Sequence, residues 1–296
     1  MPRSRNGVTA VTGAARVEPM TSGRRGRIRV GIGGWDYDPW RESFYPPGLP
    51  KARQLEHASR RMTAIEINAT YYKLQSPALF ARWRDSVPDD FRFAIKGSRY
   101  CSNRKVLAEA GEGVERFCAQ GFTELGEKLG PILWQFMATK RFDADDFGAF
   151  LRLLPRERDG VTLRHAVEVR HESFRDPAFV ALARAEGVAI AYEDSEDFPC
   201  VADLSGDFSY ARLMCARAEE PAGYRPAELD RWADIAAAWS RGESPPGLPY
   251  NADPPAAVPR ETYLFFIAGA KERNPAAATA LIERLAADPP PRGVNG

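Results

Sequence analysis

The stretch Arg164-His-Ala-Val-Glu-Val-Arg-His171 sets a carboxylate, a guanidinium and an imidazole at or just past the end of an apolar strand. Side chains alternate along a strand, so Val167 and Val169 face one way, and Ala166, Glu168 and Arg170 the other. Glutamate and arginine are seldom buried without partners, so an inward Glu168 and Arg170 imply a ligand or a structural ion pair. Similar groups end other apolar runs. In Thr63-Ala-Ile-Glu-Ile-Asn68, Ile65 and Ile67 take the outer face and leave Glu66 and Asn68 on the inner one. By the same rule Lys96, Gln135, Asp194 and Arg212 are expected to converge with them.

This set mixes acids (Glu66, Glu168, Asp194) with cations (Lys96, Arg170, Arg212). Glu168, Glu66 and His171 are candidates for acid/base catalysis. Arg170 and Arg212 suit a planar anion, phosphate or carboxylate, through bidentate hydrogen bonds. Mixed charge argues against a dedicated multi-carboxylate metal cage; a single divalent cation beside two acids stays open, without a motif to indicate it. His171, one residue past its strand, reads equally well as a surface residue. No G-x-S-x-G supports serine catalysis. Gly31, Gly33 and Gly34 lack the G-x-G-x-x-G spacing of a dinucleotide loop. Cys101, Cys118, Cys200 and Cys215 form no C-x-x-C pair, which suggests free thiols in a reducing cytoplasm rather than zinc or disulfides.

The elements that would position these groups repeat one grammar. Apolar strands are expected at Arg27–Gly33, Thr63–Asn68, Phe91–Lys96, Pro131–Gln135, Arg164–Arg170, Gly187–Asp194, Asp207–Leu213 and Thr262–Ile267. Amphipathic helices follow at about Lys51–Arg61, Ser76–Asp85, Gly113–Leu129, Asp143–Leu154, after Asp176, at Pro226–Ser240 and at Pro275–Ala287, with a Pro-rich linker over Ser244–Pro259. Strands alternating with helices imply parallel pairing with right-handed crossovers. Eight such units in about 270 residues give a single-domain α/β fold, a (β/α)8 TIM barrel, over residues 27–287. Sites in such barrels gather at the C-terminal ends of the strands, where the inward groups would meet. The aromatic loop after the first strand, with Trp35, Tyr37 and Trp40, is either a packed cap or a stacking wall for a ligand.

Residues 1–26 read as a disordered basic arm, with five arginines against Glu18, and 288–296 as a flexible tail. No apolar run is long enough to span a bilayer and the N-terminus lacks a signal-peptide core, so a membrane partner is not expected and a cytoplasmic location is. Net charge is +1 in 296 residues, which gives no global bias toward nucleic acid or membrane.

Gly31-Ile-Gly-Gly-Trp35, Trp40, Phe44-Tyr-Pro46, Glu66-Ile-Asn-Ala-Thr-Tyr-Tyr72, Trp83, Phe93-Ala-Ile-Lys96, Leu129-Gly-Pro-Ile-Leu-Trp-Gln135 and Glu168-Val-Arg-His171 resemble the domain-of-unknown-function 72 (YecE-like) family over roughly residues 27–285. The resemblance implies a TIM barrel and brings no established activity. Three rim motifs depart from the family pattern. Arg212-Leu-Met-Cys215 replaces Arg-Leu-His-Gly, Ile267-Ala268 stands where paired asparagines follow the last strand, and Gln135-Phe-Met-Ala138 replaces Gln-Leu-Pro-Pro.

The expected function is therefore binding of a small polar or anionic ligand at the barrel mouth, with acid/base turnover, hydrolysis or isomerisation, as the enzymatic version. Asn68, Tyr71, Lys96, Gln135, Arg170, Asp194 and Arg212 would bind the ligand beside Trp35, Tyr37 and Trp40. Two alternatives stand beside it. One is nucleic-acid binding, supported by the arginine arm and the basic loop at Arg99, Arg104 and Lys105. The other is a non-catalytic sensor or scaffold, favoured by the altered rim. Oligomeric state is not readable from the sequence.

Overall fold

The computed structural model describes residues 25–287. The apolar runs become eight parallel strands: β1 (Ile28–Gly33), β2 (Ala64–Ile67), β3 (Arg92–Lys96), β4 (Leu129–Gln135), β5 (His165–Glu168), β6 (Ala189–Asp194), β7 (Phe208–Leu213) and β8 (Glu261–Phe266). Each pairs with the next in sequence and β8 pairs with β1, which closes the sheet into the expected TIM barrel. A short antiparallel hairpin, Glu157–Arg158 with Val161–Thr162, precedes β5.

The helices start where side-chain caps are available. Ser76 caps Pro77–Asp85, Asp143 caps Ala144–Leu153 and Asp176 caps Pro177–Ala185, each side chain accepting from a backbone N–H of the first turn. The long helix expected from Gly113 is two pieces, Gly111–Cys118 and a 3-10 stretch Phe122–Lys128. Gly121 sits between them at φ 88, a left-handed conformation that ends the first helix. Between β6 and β7 the chain is irregular. The Pro-rich segment packs on it instead: Ala202 N–H donates to the Pro249 carbonyl at 2.9 Å, and buried Asp203 accepts from the backbone of Asn251 and Ala252 at 2.9 and 3.0 Å.

Side-chain size separates two cores. Outside the sheet, large residues such as Ile65, Ile67, Trp134, Val167, Val169, Tyr192 and Leu213 pack against the helices. Inside, Ala64, Ala94, Ala166, Ala189 and Ala191 leave space that Phe208, Tyr210, Tyr263 and Phe265 fill from β7 and β8. Gly31 completes this asymmetry, because a Cβ there would lie 1.8 Å from the Ala64 carbonyl oxygen. The N-terminal end of the barrel is closed by ion pairs. Glu261 accepts from Arg29 Nε at 2.9 Å and from Arg164 at 2.8 Å, and Tyr263 donates to the same carboxylate at 2.8 Å. In TIM barrels groups at this end serve stability, so the catalytic question belongs to the opposite end.

The expected basic arm and C-terminal tail lie outside the described residues, apart from Arg25 and Gly26, whose Gly26 N–H donates to the Ser240 carbonyl at 2.7 Å. Among the described residues no helix is long and apolar enough to cross a membrane.

Candidate active site at the barrel mouth

The C-terminal ends of six strands, and the first residues beyond them, carry the polar groups. Glu66 ends the inward row of β2, Lys96 that of β3, Gln135 that of β4, Glu168 and Arg170 that of β5, Glu193 that of β6 and Arg212 that of β7. All but Arg170 are buried, and Arg170 is partly so.

Arg212 is the hub. It grips Glu66 in a fork, Nε to Oε2 at 3.1 Å and Nη2 to Oε1 at 3.1 Å, while its third nitrogen donates to Glu168 Oε2. Tyr210 adds a hydrogen bond to Glu66 Oε2 at 2.7 Å. Both Glu66 oxygens are thereby committed, so Glu66, expected as an acid/base group, is the anchor that orients Arg212. Glu168 Oε1 accepts from Arg170 Nε at 2.8 Å and also from the Gln135 amide. Arg170 reaches on to Glu193 Oε1 at 3.2 Å and lies 4.3 Å from the Phe198 ring centroid, so the β6–β7 loop covers it.

Two carboxyls in this ring are driven in opposite directions. Burial would raise the Glu168 pKa, but Arg212, a hydrogen bond from Glu193, Arg170 and Lys96 together hold it well below the usual carboxylate range. Glu193 is pushed up to about 10, by burial first and then by the Glu168 charge and the hydrogen bond to it, against Arg170 and Arg212. The pair therefore holds one proton at neutral pH, on Glu193. Glu193 Oε2 is buried and makes no hydrogen bond, while Oε1 accepts from Arg170.

Lys96 completes the ring. Its ammonium lies 4.6 Å from the Tyr71 ring centroid and, among the described residues, makes no ion pair or hydrogen bond. Burial and then Arg212 pull its pKa down to about 8, with Glu168 and Glu66 opposing. With Glu193 neutral, Lys96, Arg170 and Arg212 face the carboxylates of Glu66 and Glu168, which leaves the ring one positive charge in excess. Asn68, partly exposed just past β2, sits beside Gly33 on the same rim, its amide nitrogen 3.1 Å from where a Gly33 Cβ would be.

Several expectations are corrected. Asp194 does not join the ring. On β6 the bulky Tyr192 packs on Trp232 and Trp239, which puts Asp194 on the same outer face and turns Glu193 inward, beside its β7 partner Arg212. Asp194 lies instead in an outer cavity with Cys215 and Arg231, and burial raises its pKa to about 6. The signal was present in the sequence, since Ala189 and Ala191 are the small, inward positions of that strand. His171 is a cap: its Nδ1 accepts from Ser173 N–H at 3.0 Å in the turn Glu172–Phe174. The aromatic loop packs as a cap. Trp40 is fully buried and donates to the Lys271 carbonyl at 2.9 Å, Trp35 packs edge-on against Trp83 at 5.3 Å, and Tyr37 packs against Trp40 at 5.4 Å. Among the described residues no group of three or more His, Cys, Asp or Glu is placed to hold a metal ion.

Comparison with known proteins adds kinship. Residues 29–294 match the family described as "Protein of unknown function DUF72". The chain is 30% identical over 150 residues to the UPF0759 protein YecE of Escherichia coli (strain K12), a match covering 50% of each protein. It is 25% identical over 171 residues to the UPF0759 protein YunF of Bacillus subtilis (strain 168), covering 54% of this chain and 58% of YunF. The matched stretch thus spans about half the length of these curated relatives. Among solved structures, a DUF72 family protein from Thermotoga maritima MSB8 superposes with a TM-score of 0.66 at 20% identity, covering 88% of this chain and 100% of that one. A xylose isomerase-like TIM barrel/4-hydroxyphenylpyruvate dioxygenase fusion protein superposes at 0.51 with 14% identity, over 92% of this chain and 46% of that one, which is likeness of fold alone. A family match across nearly the whole described barrel, joined to the same barrel in a solved member, settles the kinship: the chain belongs to the DUF72 family of proteins of unknown function.

Proposed function

We propose that the barrel mouth binds a small anionic ligand, bearing phosphate or carboxylate, and turns it over by proton transfer. The observation that carries this reading is the buried Glu168–Glu193 pair, gathered on Arg170 and driven apart in pKa, beside an unpaired Lys96. Titratable neighbours pushed apart in pKa are the usual mark of an acid/base site. Lys96 and the exposed edge of Arg170 hold the anion, which the excess positive charge favours. Glu193 supplies the proton, and Arg170 and Arg212, oriented by Glu168 and Glu66, stabilise the carboxylate left behind. Hydrolysis and isomerisation both fit a donor of this kind. The free state of all four cysteines supports a reducing compartment, and so the cytoplasm.

The test is a thermal-shift and calorimetric screen of inorganic phosphate, phosphorylated metabolites and di- and tricarboxylates, followed by turnover assays on the hits. Binding that Lys96→Met abolishes, and turnover that Glu193→Gln abolishes, are the expected results. Binding without turnover would favour the sensor reading, which the altered Ile267-Ala268 rim supports. Hits whose affinity ignores Lys96→Met would end the proposal.

A further inference from the structure

Beside the mouth, on the outer side of its rim, the chain past β3 and the turn past β2 build a second surface. A groove of about 550 Å³ is lined by Tyr72, Leu74, Ser98, Tyr100, Arg104 and Arg116 among others. Tyr72 and Tyr100 are 61% and 66% exposed, which is unusual for aromatic rings with an apolar alternative inside. The Arg99 guanidinium lies 5.6 Å from each ring centroid, so the two tyrosines and the arginine form one stacked platform. A second groove, of about 440 Å³, shares Arg104 and continues past Lys105 to Arg141.

Charge on this face is unbalanced although the whole chain is nearly neutral. Among the described residues Arg99, Arg104, Lys105, Arg116 and Arg141 make no ion pair, whereas Arg84, Arg152, Arg156, Arg158 and Arg175 elsewhere on the surface are each held by an acid. Glu112 is the acid lining the first groove, and Lys140 in the second is already held by Asp146 at 2.7 Å. Five uncompensated cations along a track with exposed rings match a polyanion that carries flat apolar faces. Single-stranded nucleic acid has that chemistry: phosphates spaced along a backbone and unstacked bases free to lie on tyrosine. A duplex hides its base faces, and an acidic peptide has none to offer.

We infer that the Tyr72–Arg99–Tyr100 platform and the basic track running from it to Arg141 form a binding surface for single-stranded nucleic acid. It is independent of the ligand reading at the mouth. Bases stack on Tyr72 and Tyr100, and Arg99, Arg104, Lys105, Arg116 and Arg141 follow the phosphates. A strand is read here by stacking and charge, so sequence preference is weak.

The experiment is fluorescence anisotropy of the full chain with 5′-labelled 20-mer oligo-dT and oligo-rU, each against the matching duplex, between low and moderate salt. Single strands are expected to bind more tightly than duplex. With roughly four phosphates neutralised, log affinity should fall against log salt with a slope of about −3. Tyr72→Ala/Tyr100→Ala should weaken binding by about tenfold or more, as loss of two stacked bases predicts. Arg99→Glu/Arg116→Glu should abolish it, while Arg156→Glu, before β5 at the opposite end of the barrel, leaves it unchanged. Because the substituted side chains are exposed, circular dichroism melts should match those of the parent. Absence of binding to any single strand at low salt overturns the inference. So does binding that the tyrosine double variant leaves intact, or binding that poly-glutamate displaces as readily as oligo-dT, which would mark a surface for acidic protein.

Discussion

Glu193, at the end of β6, shares the Arg170 guanidinium with Glu168, at the end of β5, and the two buried acids are driven in opposite directions, Glu193 up and Glu168 down. This relation gives different consequences for substituting each acid. Glutamine mimics a protonated glutamate, so Glu193→Gln should leave unfolding free energy within about 1 kcal/mol of the parent. Glu168→Gln removes the charge that balances Arg170 and Arg212 and should cost on the order of 3 kcal/mol. Urea denaturation of the two variants checks the assignment, and equal losses would reverse it.

The same proton sets a pH dependence. Glu193 ionises near 4.5 in the unfolded chain and near 10 in the folded one, so its stabilising contribution is complete below about pH 4.5 and is lost as pH rises toward 10. Glu168 has the opposite sign: its folded pKa is depressed, so its contribution is present above the unfolded value and is lost as pH falls. Stability should thus peak near the ordinary carboxylate pKa. In Glu193→Gln the decline on the alkaline side should flatten, which melts across a pH series will show.

Lys96 is held at a cost. Its charged form is disfavoured by burial and by Arg212, and it has no carboxylate of its own. Lys96→Met should therefore raise stability at pH 7, by about 1 kcal/mol, while removing anion binding. In the parent chain, anion affinity should decline as pH rises through about 8, where the ammonium loses its proton. A variant that loses stability instead would mean that Lys96 is structural.

His171→Ala tests the reassignment of that residue. Loss of the cap on the Glu172–Phe174 turn should lower stability by about 1 kcal/mol, with ligand affinity and any turnover unchanged. A collapse of turnover would return His171 to the catalytic group.

Ala268 closes β8 with φ 60, a left-handed conformation that a Cβ disfavours. Ala268→Gly should stabilise the chain by roughly 0.5–1 kcal/mol, read from the midpoint of a urea curve. No gain would mean that local contacts already compensate the backbone.

Much of this architecture was legible in the residues. Strand count and alternation predict a closed barrel, and place Glu66, Lys96, Gln135, Glu168, Arg170 and Arg212 together because Ile65, Ile95, Trp134, Val167 and Leu213 are too large for the crowded axis. The same rule applied to β6 favours Glu193, but two adjacent acids, Glu193 and Asp194, offer no contrast in polarity; only the sizes of Ile190 and Tyr192 set the phase. Trp35, Tyr37 and Trp40 could not be placed by periodicity, because they follow a glycine turn and their rings can fold either over the mouth or down onto helices. His171 was ambiguous for a related reason: a cap depends on the course of a single turn. The proton on Glu193 has no sequence signature at all, since it arises from the approach of residues far apart in the chain.

The irregular connection between β6 and β7 bears on how the site moves. Elsewhere the barrel wall is buttressed by helices or turns close in sequence, but here it relies on a proline-rich strap recruited from before β8 and fastened through Asp203. The strand that carries the proton-bearing acid thus stands at the seam of the cylinder. Hydrogen–deuterium exchange should open this seam ahead of β2–β4, and cutting the strap should loosen Glu193 before it loosens Glu66. The protein can in this way let its acidic corner breathe while Glu66, across the barrel on β2, stays in place.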